Sequence, residues 1–128
     1  MHTPRKPRFN LSDYPHAIAR VRTAIARLDR EIAELEHAIE LIEVKLDTWI
    51  ANASDLKNDA QRRAKRGELR INDINLNVKQ DLLQTAKEKR TKEEIKLELL
   101  RSMFSVAKLQ ARYEIAAIAT DSDLALAA

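Results

Sequence analysis

Five basic residues lie close together near the middle of the chain, within residues 58–70, NDAQRRAKRGELR. Cations this dense can neutralise the phosphates of a nucleic acid and release its counterions, which makes binding salt-dependent. The same pattern is typical of a solvated helix end, where the helix dipole favours cations. We favour the solvated helix end and keep an anionic docking site as the alternative. The candidate residues are Arg62, Arg63, Lys65, Arg66 and Arg70.

A second basic group lies near the N-terminus, in the segment TPRKPRF. Two prolines interrupt it, so we expect residues 1–14 to form an extended, disordered arm. Such arms can enter a minor groove or follow phosphates, and they can also act only as solubilising tails. The alternative function is therefore that of a nucleic-acid-binding accessory protein with a nucleic acid or nucleoprotein partner. Its candidate residues in this arm are Arg5, Lys6 and Arg8.

The chain offers little that could support catalysis. Glu34 and His37 have the i, i+3 spacing of di-iron bundles, but that site needs a second such pair and further inward glutamates. His37 is also predicted on the face away from the helix contact. With one glycine and no cysteine, the sequence contains no phosphate loop, no nucleophile elbow and no Cys–His pair. We expect no enzymatic activity, no cofactor, no metal and no small-molecule substrate.

Composition indicates long helices. The 128 residues are 34% charged and 4% aromatic, and a single glycine could not supply the turns of a sheet domain. No apolar run approaches the ~20 residues that span a bilayer, so we expect no membrane partner. The lack of cysteine fits a reducing compartment, and we expect a cytoplasmic location.

The first half of the chain predicts one helix over residues 15–53. Pro15 suits the first helical position, with Ser12, Asp13 and Tyr14 where a cap belongs. Apolar residues then recur at alternating intervals of three and four, the pattern of a left-handed coiled coil. Trp49 is predicted to be a large core residue. The predicted coiled-coil residues are Ile18, Val21, Ile25, Leu28, Ile32, Leu35, Ile39, Ile42, Leu46 and Trp49.

The second half of the chain predicts a turn and a second long helix that runs back along the first. We expect a tip helix over 54–66, with Ser54 as its cap and Gly67 closing it in a left-handed conformation. A third helix should follow over 73–118, and residues 119–128 should be a flexible tail. Acidic residues dominate 31–47 and basic residues are frequent in 78–94, so the two helices should pair antiparallel. The predicted fold is all-α: a long antiparallel helical hairpin, or coiled coil, with a short helix at its tip.

Residues 95–118 are too widely apolar for one facing helix to cover. Such a surface usually marks an interface, so we expect a homo-oligomer, most simply a dimer that forms a multi-helix bundle. The candidate interface residues are Leu99, Leu100, Met103, Phe104, Val106 and Tyr113. Peripheral membrane attachment is a weaker alternative, because few cations border this surface.

Alanines recur every seven residues at Ala19, Ala26 and Ala33. Small residues at this spacing would admit a close neighbouring helix, but alanine is also simply the best helix former, so both interpretations stay open. The function we predict is that of a non-catalytic coiled-coil adaptor or scaffold, acting by self-association and protein–protein interaction.

Overall fold

The structure, a computed structural model, describes the backbone of residues 9–127 and the side chains of residues 9–122. It contains three helices, α1 (Asp13–Asn52), α2 (Asp59–Asn72) and α3 (Ile74–Ala127), and no strand within the described residues. The predicted all-α helical hairpin, with a short helix between two long ones, is confirmed. Arg5, Lys6 and Arg8 of the predicted arm lie outside the described residues.

Local hydrogen bonds and an aromatic contact fix the start of α1. The Asn10 backbone N–H donates to the Asp13 carboxylate at 2.8 Å, and the Asp13 backbone N–H donates to the Asn10 carbonyl at 2.9 Å. Phe9 packs edge-on against Tyr14, with ring centroids 5.4 Å apart. The helix begins at Asp13, two residues before Pro15, whose missing N–H costs nothing in the first turn.

The tip helix differs from its predicted position of 54–66. Asn58, rather than Ser54, caps α2, because its side chain accepts the Gln61 backbone N–H at 2.8 Å. Gly67 lies inside α2 without a left-handed backbone, so the prediction that it ends the helix is wrong. Ion pairs of Arg66 and Arg70 with α1, on either side of Gly67, offset the cost of carrying glycine within a helix.

The third helix begins as predicted but ends later. Asp73 terminates α2 and also starts α3, since its side chain accepts the Leu76 N–H at 2.8 Å. The helix continues past the predicted end at 118, through most of the predicted tail 119–128, to Ala127. Thr120, within the predicted tail, donates its hydroxyl hydrogen to the Ala116 carbonyl at 2.9 Å. That bond satisfies the hydroxyl without leaving the helix.

The chain divides into two compact units. We call residues up to 24 and from 93 onward the terminal unit, and residues 25–92 the corner unit. Buried apolar residues form a small core in each. They are Tyr14, Ala17, Val21 and Leu100 in the terminal unit, and Leu35, Ile50, Leu76 and Ala86 in the corner unit. Within the described residues, no helix combines the length and apolar character required to cross a membrane.

Candidate association surface

In the terminal unit, one face of α3 packs toward α1. We call this face the inner seam; its residues are buried or half-buried and recur at intervals of three and four. Phe104 lies at its centre and stacks on Tyr14 of α1, with centroids 5.5 Å apart and planes 13° from parallel. The Lys108 ammonium lies 4.5 Å from the Phe104 centroid, within cation–π range. The inner seam comprises Leu97, Leu100, Phe104, Ala107 and Ala111.

A second apolar face lies on the opposite side of the same part of α3. We call it the outer stripe. Its positions follow intervals of 4, 3, 4, 3 and 4, and all of them are apolar except Ser102. The apolar side chains keep between 51% and 75% of their surface exposed, and Met103 borders them at 41%. The outer stripe comprises Ile95, Leu99, Ser102, Val106, Leu109 and Tyr113.

The predicted interface residues therefore divide between the two faces. Leu100 is buried and Phe104 is half-buried in the inner seam, so both pack inside one chain and present less surface to a partner than the other four. Leu99, Met103, Val106 and Tyr113 remain exposed. Ile95 and Leu109 belong to the same stripe but were not among the predicted interface residues, although the regular spacing of the outer stripe could have identified them.

Most predicted coiled-coil residues of α1 face inward. Val21 and Leu35 are buried, and seven others are half-buried: Ile18, Ile25, Leu28, Ile32, Ile39, Ile42 and Leu46. The alanines at 19, 26 and 33 are exposed. Among the described residues, no neighbouring helix covers them.

Trp49 departs from the prediction of a core residue. It is 51% exposed, and the Lys65 ammonium lies 5.7 Å from its ring centroid. Its neighbour Ile50 is buried instead. The reason is that α2 contacts α1 through Asp47, which pairs with Arg66. The packed face near the end of α1 therefore includes Asp47 and Ile50, and Trp49 lies beside it.

The basic residues of α2 are largely paired with acids of the same chain. Two cations reach α1, Arg66 to Asp47 and Arg70 to Glu43 at 2.7 Å. Two others pair within α2, Arg62 with Asp59 at 3.4 Å and Lys65 with Glu68 at 3.6 Å. These pairs disperse the positive potential that the sequence pattern had indicated, and two of them attach α2 to α1.

Arg63 is the exposed member of the basic cluster for which the described residues provide no ion-pair partner. It lines an open groove of about 560 Å³ in the corner unit. The groove mixes both charges with apolar atoms, since Asp47, Asp59 and Ile50 line it together with Arg62 and Arg66. This mixed lining gives it no clear preference for an anion.

The Glu34–His37 pair lies on an exposed part of α1. Within the described residues, no group of three or more potential metal-ligating side chains converges.

Comparisons of the chain with protein-family models, with curated proteins and with solved structures gave no match.

Proposed function

We propose that the protein is a non-catalytic assembly protein that works by self-association through the outer stripe of α3. The observation that carries the proposal is that exposed apolar side chains recur along this stripe at intervals of three and four residues. Side chains recurring every three or four residues form the surface by which one helix packs against another. Exposed apolar surface of this kind is uncommon on a protein that functions as a monomer.

A second copy of the chain is the partner that best fits this surface. It offers an identical stripe with the same spacing, and a two-fold axis would let each stripe cover the other. Two hairpins joined in this way would place four helices side by side in the terminal unit, with α3 of each copy between its own α1 and the partner's α3. In this arrangement α3 is apolar on two faces because it packs on two neighbours.

Light scattering tests the proposal directly. The monomer mass is 14.7 kDa, so a dimer should give twice that value. Replacing Leu99 and Val106 together by Gln should return the mass to that of the monomer, with helix content by circular dichroism unchanged, since both side chains are exposed in the single chain. A wild-type mass that stays monomeric as concentration rises would refute self-association.

The corner unit supplies a matched control. Leu41 and Val44 have the same residue types as Leu99 and Val106, and similar exposure, at 50% and 53% against 59% and 53%. Replacing Leu41 and Val44 by Gln should leave the dimer intact. Dissociation of this control as well would mean that general hydrophobicity, and not the outer stripe, drives association.

Ser102 permits a test by gain of affinity. It is the polar member of the outer stripe, so Ser102→Leu would complete the apolar surface. Burial of a leucine contributes roughly 1.5–3 kcal/mol, so the dimer dissociation constant should fall by at least about tenfold. Sedimentation equilibrium measures this change. An unchanged constant would place Ser102 outside the contact.

The alternative function, phosphate binding by the basic cluster of α2, has less support. Four of its five cations pair with carboxylates, and releasing them for a nucleic acid would cost those pairs. A gel-shift series against salt concentration tests this alternative, with Arg63→Gln as the first variant. Salt-sensitive binding that Arg63→Gln weakens would favour it. We retain a cytoplasmic location as part of the proposal, on the basis of the cysteine-free sequence.

A further inference from the structure

The charges that border the outer stripe differ at its two ends. Glu98 precedes Leu99 and Arg112 precedes Tyr113, so the two lie on the same flank of the stripe, two heptads apart. Both side chains are exposed. Neither forms an ion pair with any described residue. A second helix laid on the stripe would therefore meet one acidic end and one basic end.

The direction of the second helix decides whether these charges meet. In a parallel pair, flanking residues face the opposite flank of the partner five positions later, which sets Glu98 against Met103 and Arg112 against Ala117. Neither is a charge pair. A parallel pair would also set Ser102 against its own copy in the centre of the contact.

In an antiparallel pair, each flank faces the same flank of the partner. Centring the two stripes on each other sets Ile95 against the partner's Tyr113 and Leu99 against the partner's Leu109. Ser102 then lies against the partner's Val106, so the polar position meets an apolar one. In this register Glu98 lies beside the partner's Arg112, and the two-fold axis repeats the pair.

We infer that the partner on the outer stripe is a second copy of this chain bound antiparallel, with Glu98 and the partner subunit's Arg112 paired at both ends. This inference rests on the proposed function. The two ion pairs set orientation more than affinity, because each exposed pair contributes little and only the antiparallel arrangement forms them. The apolar stripe provides the affinity.

Disulfide trapping distinguishes the two orientations. The chain has no native cysteine, so Ile95→Cys and Tyr113→Cys can be introduced into separate chains that differ in tag mass. Parallel pairing would bring each cysteine beside its own copy. Antiparallel pairing would separate like cysteines by 18 residues, about 27 Å along the helix, and bring unlike ones together.

The expected result is a disulfide between the two chains when they are mixed in a thiol redox buffer, and none when either chain is oxidised alone. Disulfides in each chain alone would overturn the antiparallel inference and leave self-association intact. A dimer that forms no disulfide in any mixture would also overturn it. A monomeric wild type by light scattering would instead refute the proposed function, so the two failures are distinguishable.

Charge reversal gives an independent readout. Glu98→Arg and Arg112→Glu should each raise the dimer dissociation constant, on the order of tenfold, because each places two like-charge pairs across the contact. The double variant should restore the wild-type value in an antiparallel dimer. Additive losses in the double variant would show that the two residues do not meet, and would overturn the inference.

Discussion

The terminal and corner units use the same two long helices but hold them together differently. In the terminal unit, the contact is apolar and aromatic, with Tyr14 stacked on Phe104. In the corner unit, four ion pairs join different helices: Arg66–Asp47, Arg70–Glu43, Lys87–Glu36 and Arg90–Asp29. The corner unit thus adds charge pairing to its small apolar core.

Their outer surfaces also differ. On the outer side of α3, the corner unit begins with the exposed residues Ile74 and Val78, but Asp81, Thr85, Glu88 and Lys92 occupy the next positions of the same spacing. In the terminal unit, the apolar spacing continues for six positions with one interruption. Within α3, the sustained surface for another helix is therefore in the terminal unit. The variants below test how far this division of roles holds.

The largest effect should come from Leu76, which is 1% exposed and the most deeply buried large side chain of the corner unit. Leu76→Ala should lower the free energy of unfolding by roughly 2–5 kcal/mol, through lost burial and the cavity left behind. Urea unfolding followed by circular dichroism, at fixed protein concentration, measures the change.

Leu82→Ala is the control for Leu76→Ala, because Leu82 lies on the same helix with 46% of its surface exposed. Leu82→Ala should lower the free energy of unfolding much less than Leu76→Ala. If both variants lowered it by the same small amount, ion pairs rather than apolar burial would dominate the stability of the corner unit.

The terminal unit should be most sensitive at Tyr14, which contacts both Phe9 and Phe104. Tyr14→Ala removes a buried aromatic ring and should lower the free energy of unfolding by about 3 kcal/mol. Tyr14→Phe keeps the ring stacked and should lower it little, since the stability we attribute to this residue comes from its ring. A large loss in Tyr14→Phe would show instead that the hydroxyl carries the effect.

A smaller effect, of opposite sign, is expected at Gly67. It lies within α2 in an ordinary helical conformation, and an added Cβ would meet no atom within 4 Å. Gly67→Ala should therefore raise the free energy of unfolding by about 0.5–1 kcal/mol. Ala64→Gly, an exposed position of the same helix, should lower it by a similar amount. A destabilised Gly67→Ala would indicate an atom beside Gly67 that the single chain does not supply.

Gly67 also illustrates which parts of the fold the sequence could predict. The regular apolar spacing of α1 predicted a long unbroken helix, and α1 is one. Ser54 and Gly67 look like helix ends, but Asn58 caps the start of α2 through a local hydrogen bond, and the helix continues through Gly67 to Asn72. The sequence could not show this continuation, because it coincides with contacts distant in sequence, in which Arg66 and Arg70 reach α1 on either side of Gly67.

The candidate surface was partly predictable for a similar reason. Composition alone indicated that residues 95–118 carry more apolar surface than one helix can cover. It could not assign each residue to a face, because that depends on which of them Tyr14 and its neighbours contact. Leu100 and Phe104 are adjacent in sequence to the exposed Leu99 and Met103. Successive residues of a helix point about 100° apart, so neighbours in sequence lie on different faces of α3.

The smallest effect should come from single ion pairs of the corner unit. A double-mutant cycle with Arg70→Gln and Glu43→Gln, whose charged atoms lie 2.7 Å apart, should give a coupling free energy of about 0.2–1 kcal/mol, because both side chains are partly solvated. This coupling should decrease as salt is added. A cycle between Tyr14→Ala and Phe104→Ala in the terminal unit should give a coupling that salt leaves unchanged. If the Arg70–Glu43 coupling were equally insensitive to salt, the pair would act through packing of its side-chain stems, and the contrast between an ion-paired corner unit and an apolar terminal unit would no longer hold.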